Sequence, residues 1–403
     1  MFENLLYQNA SSLIADDITK NALPHSILLS GPVGSGKLTC ALEIARVLSC
    51  HGLKKGGWNC DCPSCLKHKA LNSQDVIIAG PKDSSPEIAA SVATFLSAVS
   101  QNAAYVNGAR YLFIRSVRKL LLRFSPVLLE DDPNVGKISA NVAAIDELLE
   151  EIEPGRELPE YEKLEKKVGS VVTQCEKLES SFMYDSIPVN QIRHASSWAR
   201  LTAPGTKKVL IIENAERMQE SVRNALLKIL EEPPEDTVFI LTTANRGAVM
   251  PTILSRVRTY TFAERNSVQQ QEVLSRVFHA PNAADFPDIN FYLSGFLPVP
   301  VAEIKSAAIN FCNLLFQKKS VNLEQFVKDM NNFEPRVLLK IFFAECMQCF
   351  RIELRKNCDP KTLALKTKFL SNVQLSIKQV YDSITIFNQS PASAFEAFYE
   401  RIF

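Results

Sequence analysis

Apolar and polar residues alternate in blocks along the first 265 residues, and these blocks predict strands and helices that follow one another. Short apolar runs predict strands at Ile27–Leu29, in the stretch after Lys207 and at Thr237–Thr243, and Thr259–Phe262 is also strand-like. Helical spacing of apolar residues predicts helices at Ala41–Leu48 and from Ser221 to the Pro233-Pro234 pair, which ends that helix. Strands separated by helices indicate an α/β domain with a parallel sheet.

The rest of the chain has a purely helical pattern. Residues Ser84–Ser186 carry apolar positions at helical spacing, and from Arg265 onward the pattern predicts a small helical domain at 266–300 and a larger one at 301–403. The helices predicted in the larger domain are Ala302–Lys318, Asn322–Met330, Glu334–Lys356, Lys361–Phe387 and Ala392–Ile402. Many Phe and Leu residues with little charge favour packing between subunits, and a self-contained bundle is the alternative.

Composition narrows the function classes. The 403 residues include 45 Lys and Arg against 44 Asp and Glu, so no overall field attracts the chain to nucleic acid, and any DNA contact must be local or shared with partners. The sequence contains no uninterrupted apolar run of about 20 residues and no recognisable signal peptide, which predicts a cytoplasmic protein without a membrane span. Ten cysteines in such a chain favour metal ligands or free thiols over disulfides.

The stretch after the first strand has the pattern G-x-x-x-x-G-K and is typical of a phosphate-binding loop. Glycines let backbone N–H groups turn toward an anion, the following helix adds partial positive charge, and Lys37 can reach the terminal phosphates. The candidate nucleotide-binding residues are Gly31, Gly34, Ser35, Gly36, Lys37, Leu38 and Thr39. ATP or ADP is therefore a candidate cofactor.

Two positions argue against hydrolysis of a bound nucleotide. Leu38 stands where a magnesium-binding Ser or Thr is expected, unless the loop shifts by one residue and Thr39 takes that place. The strand after Lys207 ends in Glu213-Asn214, where an Asp-Glu pair is expected; Glu213 is a degenerate acidic position, and Asn214 cannot accept a proton. A missing general base costs about 10²–10⁴ in rate, so we expect no appreciable ATPase activity and only weak magnesium binding.

Four cysteines lie close together, at Cys50, Cys60, Cys62 and Cys65, with the spacing C-x9-C-x-C-x2-C. Thiolates in a short, polar, Gly-rich segment suit tetrahedral zinc, and the lack of a neighbouring Glu favours a structural site. The alternatives are four unrelated buried thiols, or a site in which His51 or His68 replaces one of them. The second C-x2-C pair, Cys346 and Cys349, lies in an apolar helix and favours packing over metal binding.

These motifs together resemble the clamp-loader branch of the AAA+ ATPases. The resemblance is carried, in family order, by the loop at Ser30–Lys37, the four cysteines, Lys208–Met218, Asn224–Pro234 and Leu254–Arg256. It implies a P-loop AAA+ domain at 1–265 with a zinc module at 50–65 and a helical insertion at 84–186. The helical domains become a lid at 266–300 and an all-α collar at 301–403.

Within that family, losses at hydrolysis positions combined with a retained Ser255-Arg256 resemble the delta-prime type, a stator that completes a neighbour's ATP site. The resemblance implies that Arg256 acts as an arginine finger in trans, with capping of its short helix or pairing with a local acid such as Glu213 as the alternative. The implied partners are the delta and gamma/tau subunits, the sliding clamp, and primer-template DNA indirectly or locally. An active gamma/tau-type ATPase motor and an unrelated P-loop regulatory protein are the other hypotheses.

Basic residues cluster along one predicted helix of the insertion. They are Arg110, Arg115, Arg118, Lys119 and Arg123. They could contact phosphates, although the pattern is more typical of a solvated helix face. The sequence leaves both interpretations open.

Overall fold

A computed structural model describes residues 1–80, 84–184, 186–201, 207–297, 299–316, 335–356, 360–385, 389 and 391–402. It separates into two compact units, Met1–Phe296 and Leu297–Phe403. The predicted helix Asn322–Met330 lies outside the described residues. None of the helices in the described ranges is long and apolar enough to cross a membrane.

The first unit is built around a five-stranded sheet, which confirms the predicted parallel sheet with flanking helices. The strands are β1 Ser26–Ser30, β2 Val76–Ala79, β3 Lys208–Ile212, β4 Thr237–Thr243 and β5 Arg258–Thr261. They pair in parallel in the order β2-β3-β4-β1-β5. All strands except β5 are buried along their whole length, as expected for a sheet covered on both faces.

Helices cover both faces of this sheet. They are α1 Asn9–Thr19, α2 Lys37–Leu48, α3 Pro63–Lys69, α8 Val189–Ala199, α9 Glu220–Glu231 and the short α10 Pro251–Leu254. Side chains alternate along each strand, so Ile27 and Leu29 pack with α1 and α2 whereas Leu28 faces the opposite core with α8 and α9. The sheet therefore presents the carboxyl ends of its strands along one edge, where the glycine-rich loop begins.

Between β2 and α8 the chain forms a helical layer with its own hydrophobic core. Its helices are α4 Ser85–Ser100, α5 Val106–Leu121, α6 Val135–Glu150 and α7 Tyr161–Phe182. Phe95, Phe113 and Ile145 are fully buried among these helices. The helical pattern predicted for 84–186 is thus what the structure contains.

The end of the first unit and the second unit are helical, as the apolar spacing predicted. In the first unit, α11 Ser267–Val273, a π turn at Leu274–Phe278 and α12 Ile289–Ser294 pack with α4. The second unit contains α13 Val301–Phe316, α14 Pro335–Arg355, α15 Pro360–Thr385 and α16 Pro391–Ile402. Cys346 is buried in the Phe-rich core of this second unit and Cys349 packs against it, consistent with a packing role.

Candidate functional site

The glycine-rich loop follows β1 at the carboxyl edge of the sheet and leads directly into α2. Its first residue, Gly31, donates its N–H to the carbonyl of Thr243 at 3.1 Å, and a side chain there would collide with Phe262 at 2.6 Å. Gly34 and Gly36 have φ angles of 76° and 94°, a left-handed conformation that glycine adopts without strain. The loop is therefore shaped by glycine at the positions that the motif predicts.

Lys37 is the first residue of α2, and its side chain folds back over the loop. Its Nζ donates to the carbonyls of Gly31 and Pro32, both at 2.6 Å, and makes a longer contact of 3.5 Å with Ser35 Oγ. Burial lowers the pKa of Lys37 to about 8, and two nearby carboxylates, Glu216 and Glu213, partly oppose that shift. Below that pH the lysine carries the positive charge that a phosphate group requires.

The three remaining loop positions have different surroundings. Ser35 is buried, whereas Leu38 is partly buried against the core shared by α1 and α2. Leu38 and Thr39 both line the cavity beside the loop. Because α2 begins at Lys37, the helix start agrees with the unshifted alignment, in which an aliphatic side chain occupies the magnesium position.

Glu213, the acidic residue at the end of β3, contacts an arginine that the sequence analysis did not predict as its partner. Glu213 forms a salt bridge with Arg123, which lies 8% exposed at the end of α5 and its 3-10 extension. Asn214 has a φ of 52° and donates its N–H to Thr242 Oγ1 at 3.3 Å. The Glu213 carboxylate is thus paired with a cation of the same chain, and the next residue, Asn214, cannot accept a proton.

The basic residues of α5 do not form a solvated face, so that interpretation is wrong. Arg110 and Arg118 are only 4% and 5% exposed, and both contact Glu153. Arg115 donates to the carbonyl of Lys69 at 2.6 Å and so joins α5 to the cysteine-containing segment. Arg115 and Arg118 attach the helical layer to the segment at Lys69 and Ala70, whereas Arg110 joins parts of the layer itself.

Two further residues approach the loop from the region after β5, and the sequence analysis missed both. Arg265 donates to the carbonyls of Gly34 at 2.9 Å and Leu6 at 2.9 Å. Asn290, on α12, donates to the carbonyl of Val33 at 3.4 Å. The only sequence signal is an arginine directly after a strand at the start of the helical region, which is too common to identify a loop contact.

A cavity of about 870 Å³ lies between the glycine-rich loop, the cysteine-containing segment, α5 and the α11–α12 region. Such a volume lies in the range of small-molecule and cofactor sites. Lys37, Arg123, Arg265 and Glu213 line it, together with aromatic residues such as Tyr111 and Trp58. The predicted nucleotide-binding residues are therefore brought to one cavity, except that Gly31 and Ser35 lie outside its lining.

The four predicted metal ligands converge. The Sγ atoms of Cys50, Cys60, Cys62 and Cys65 all lie within 4.8 Å of one another, and those of Cys50 and Cys60 are 3.7 Å apart. Zinc–sulfur bonds of about 2.3 Å in a tetrahedron place sulfur atoms about 3.8 Å apart, so the group is the right size for one metal ion. His68 is buried outside the group, and burial lowers its pKa to about 4.

A buried arginine connects the cysteine group to α2. Arg46, 1% exposed, forms a salt bridge with Glu43 at 2.6 Å and donates to Cys65 Sγ at 3.1 Å and to the carbonyl of Gly56 at 2.8 Å. A cation beside four thiolates reduces their mutual repulsion. The helix that begins at the phosphate loop thus also carries an outer contact of the cysteine site.

Arg256 follows α10, which ends at Leu254, and its guanidinium is held locally. It forms a salt bridge with Glu231 and donates to the carbonyl of Thr252 at 2.6 Å, while its side chain remains 28% exposed. The alternative of a helix cap or a local ion pair is therefore what the structure contains, with Glu231 as the acid in place of Glu213, which contacts Arg123. Arg256 precedes β5, so it lies at the amino edge of the sheet, opposite the chain's own phosphate loop.

A parallel sheet whose first strand leads through a glycine-rich loop into a helix is the arrangement of a P-loop fold. The family model described as "DNA polymerase III, delta subunit" matches residues 7–130 and 149–266, which is more than half of the chain. The chain therefore belongs to this family. The residues left out between the two matched ranges, 131–148, contain most of α6.

Individual relatives carry related names. The chain is 29% identical over 160 residues to the DNA polymerase III subunit delta' of Haemophilus influenzae, covering 40% of this chain and 46% of that protein. It is 44% identical over 71 residues to the delta' subunit of Pseudomonas aeruginosa, covering 17% and 22% of the two chains. A gamma/tau subunit from Mycobacterium bovis is 39% identical over 70 residues, covering 17% and 12%. Each match spans less than half of the relative's length.

These similarities confirm the predicted resemblance to a clamp-loader protein of the delta-prime type and remove the hypothesis of an unrelated P-loop protein. They do not by themselves distinguish a subunit that hydrolyses ATP from one that does not, because delta' and gamma/tau subunits are both among the relatives. That distinction depends on the residues at the phosphate loop and at the end of β3.

Proposed function

We propose that this chain is a delta-prime-type clamp-loader subunit of DNA polymerase III that does not hydrolyse ATP itself and completes the ATP site of a neighbouring subunit. The observation that carries the proposal is the state of its own hydrolysis positions. Leu38 offers no oxygen to a metal ion, Asn214 cannot act as a base, and Glu213 is paired with Arg123.

The position of Arg256 supports a role toward a neighbour. β1 and β5 are parallel with Ile27 opposite Arg258, so Arg256 and the phosphate loop lie beyond opposite ends of the two strands. Four strand residues span about 13 Å, which is too far for an arginine to reach its own chain's phosphates. Any nucleotide that Arg256 contacts in this proposal is therefore one bound by another subunit.

The partners in this proposal are the delta and gamma/tau subunits, which the helical collar at 301–403 contacts, with 266–300 as the lid. The sliding clamp and primer-template DNA are engaged by the whole complex. The cysteine group, at residues 50–65, holds one structural zinc ion. Its four thiolates and the absence of an open ligand position in the set favour a structural over a catalytic metal.

Reconstitution tests the proposed role directly. Mixing this chain with candidate delta and gamma subunits should produce a complex that loads the sliding clamp onto primed DNA, and omitting the chain should abolish loading. Loading is measured as clamp retained on circular primed DNA. A complex that assembles and loads equally well without this chain would contradict the proposal.

The isolated chain should hydrolyse ATP negligibly, because it lacks both a base and a metal-binding hydroxyl. Changing Lys37 to Met should therefore leave phosphate release unchanged at the background of a blank reaction. Loss of a general base alone lowers a rate by about 10²–10⁴. A robust turnover that Lys37→Met abolishes would instead support the hypothesis of a gamma/tau-type ATPase motor. The similarity to the gamma/tau subunit of Mycobacterium bovis is the observation that favours that hypothesis.

A further inference from the structure

The cavity beside the phosphate loop has an excess of positive charge. Seven cationic side chains and three carboxylates line it. Four of the cations are held by backbone carbonyls rather than by carboxylates, namely Lys37, Lys69, Arg115 and Arg265. A carbonyl orients a cation without neutralising its charge, so this cavity is suited to a polyanion.

Arg123 places a cation beside Glu213, the acid at the end of β3 where a metal ligand is expected in a nucleotide site. Its guanidinium contacts Glu213 at the end of β3, and it is more than nine-tenths buried. Within the described ranges, its Nε is a buried donor for which the chain provides no acceptor. Arg123 also lines the cavity, so its guanidinium lies beside the space that an anionic ligand would occupy.

The same arrangement leaves few protein oxygen atoms that could act as ligands of a divalent cation. Magnesium is held in nucleotide sites by one or two protein oxygens in addition to the phosphates. Leu38 supplies none, and Glu213 is engaged by Arg123. Glu216 lies near Lys37 and accepts the N–H of Ala244 through Oε1 at 3.1 Å, while its Oε2 is buried without a partner among the described residues; its side chain does not line the cavity.

We propose that this cavity binds the phosphate chain of a nucleoside di- or triphosphate without a divalent metal ion, with Arg123 supplying the positive charge that the metal would supply. This inference rests on the assignment of Ser30–Lys37 as a phosphate loop and is independent of what Arg256 does in a complex. The aromatic side chains of Trp58 and Tyr111 line the same cavity and give it an apolar part for a nucleoside.

The test is equilibrium binding to the full chain by isothermal titration calorimetry, with ADP and a non-hydrolysable ATP analogue, in excess EDTA and in magnesium chloride. We expect binding in EDTA to be at least as tight as in magnesium chloride, because the protein contributes no metal ligands and magnesium ions would compete with Arg123 for the same phosphate oxygens. Tripolyphosphate serves as a competitor. Strong competition by it assigns the affinity to the phosphate chain, and weak competition assigns a share of it to the nucleoside.

Variants at the ion pair separate charge from folding. Glu213→Gln removes the partner carboxylate and should tighten binding in EDTA, since Arg123 then keeps its full charge for the ligand. Adding Arg123→Met to Glu213→Gln leaves no unpaired buried carboxylate and should weaken binding by about tenfold or more relative to Glu213→Gln alone. Arg110→Met is the matched control, since Arg110 is a buried arginine on the same helix that holds backbone carbonyls and does not line the cavity.

Thermal unfolding shows that each variant is folded before its binding is compared. Binding in magnesium chloride that disappears in EDTA would overturn the inference, as would the absence of binding in both buffers. Equal binding by Glu213→Gln with and without Arg123→Met would remove Arg123 from the site. None of these outcomes affects clamp loading by a reconstituted complex, so failure here is distinguishable from failure of the proposed function.

Discussion

The Arg256→Ala variant is expected to assemble with its partner subunits and to lower their DNA-stimulated ATP turnover. Phosphoryl transfer spreads negative charge over the γ-phosphate oxygens, and an arginine supplied in trans contributes about 10³–10⁵ in rate at the site it completes. The ATP turnover of the whole complex should fall by the part that this one ATP site contributes. Clamp loading should fall as well. Phosphate release and clamp retention on primed DNA measure the two effects.

The loss should not arise from unfolding. The Arg256–Glu231 pair is partly exposed, and such pairs contribute about 0–1 kcal/mol to the free energy of unfolding. Arg256 must leave Glu231 to reach a neighbour, so Glu231→Gln should keep or raise turnover. Arg246→Ala, which removes an exposed arginine from the loop after β4, controls for general loss of positive charge. Unchanged turnover in an assembled Arg256→Ala complex would exclude Arg256 from the mechanism.

Loss of the zinc ion that we propose at the four cysteines should lower the free energy of unfolding of the first unit more than other single changes do. Cysteine-rich zinc sites in small peptides contribute about 10–16 kcal/mol at neutral pH, whereas most single substitutions cost about 0.5–3 kcal/mol. Cys62→Ser should therefore release the metal and lower the free energy of unfolding by more than about 3 kcal/mol. Elemental analysis and chemical denaturation measure the two quantities.

Wild-type protein prepared without chelator should carry about one zinc ion per chain, as four thiolates form one tetrahedral site. Cys175→Ala is the control, because Cys175 is a buried free thiol in the core of α4–α7, away from the cysteine group. It should lower stability modestly and leave the metal content unchanged. Metal-free wild-type protein, or unchanged metal content in Cys62→Ser, would show that the cysteines have another role.

The features predictable from sequence are those whose residues are close together in the chain. The phosphate loop spans seven positions and the four cysteines sixteen, so short-range chain geometry brings their groups together whatever surrounds them. Likewise, an apolar run in the sequence predicts a buried strand, and β1 and β4 form close to the predicted residues. The partly exposed β5 also forms within one residue of its predicted position.

The contacts that sequence reasoning missed join distant parts of the chain. Glu213 meets Arg123, which the pattern assigned to a surface helix, and Gly34 meets Arg265. Each depends on how a helical layer packs against the sheet, and an arginine on an amphipathic helix carries no mark of its partner. For the same reason the sequence does not identify Glu231, at the end of α9, as the local acid that pairs with Arg256.

The placement of α4–α7 between two neighbouring strands bears on how the chain folds. β2 and β3 lie side by side in register, with Val76 opposite Val209, yet the whole helical layer separates them along the chain. Closing so long a loop carries an entropic cost that rises with the logarithm of its length, and such non-local pairings slow folding. Because the layer has its own core of nearby helices, it can collapse locally first. Its early collapse would shorten the effective loop and bring the two strand ends together for the sheet to close.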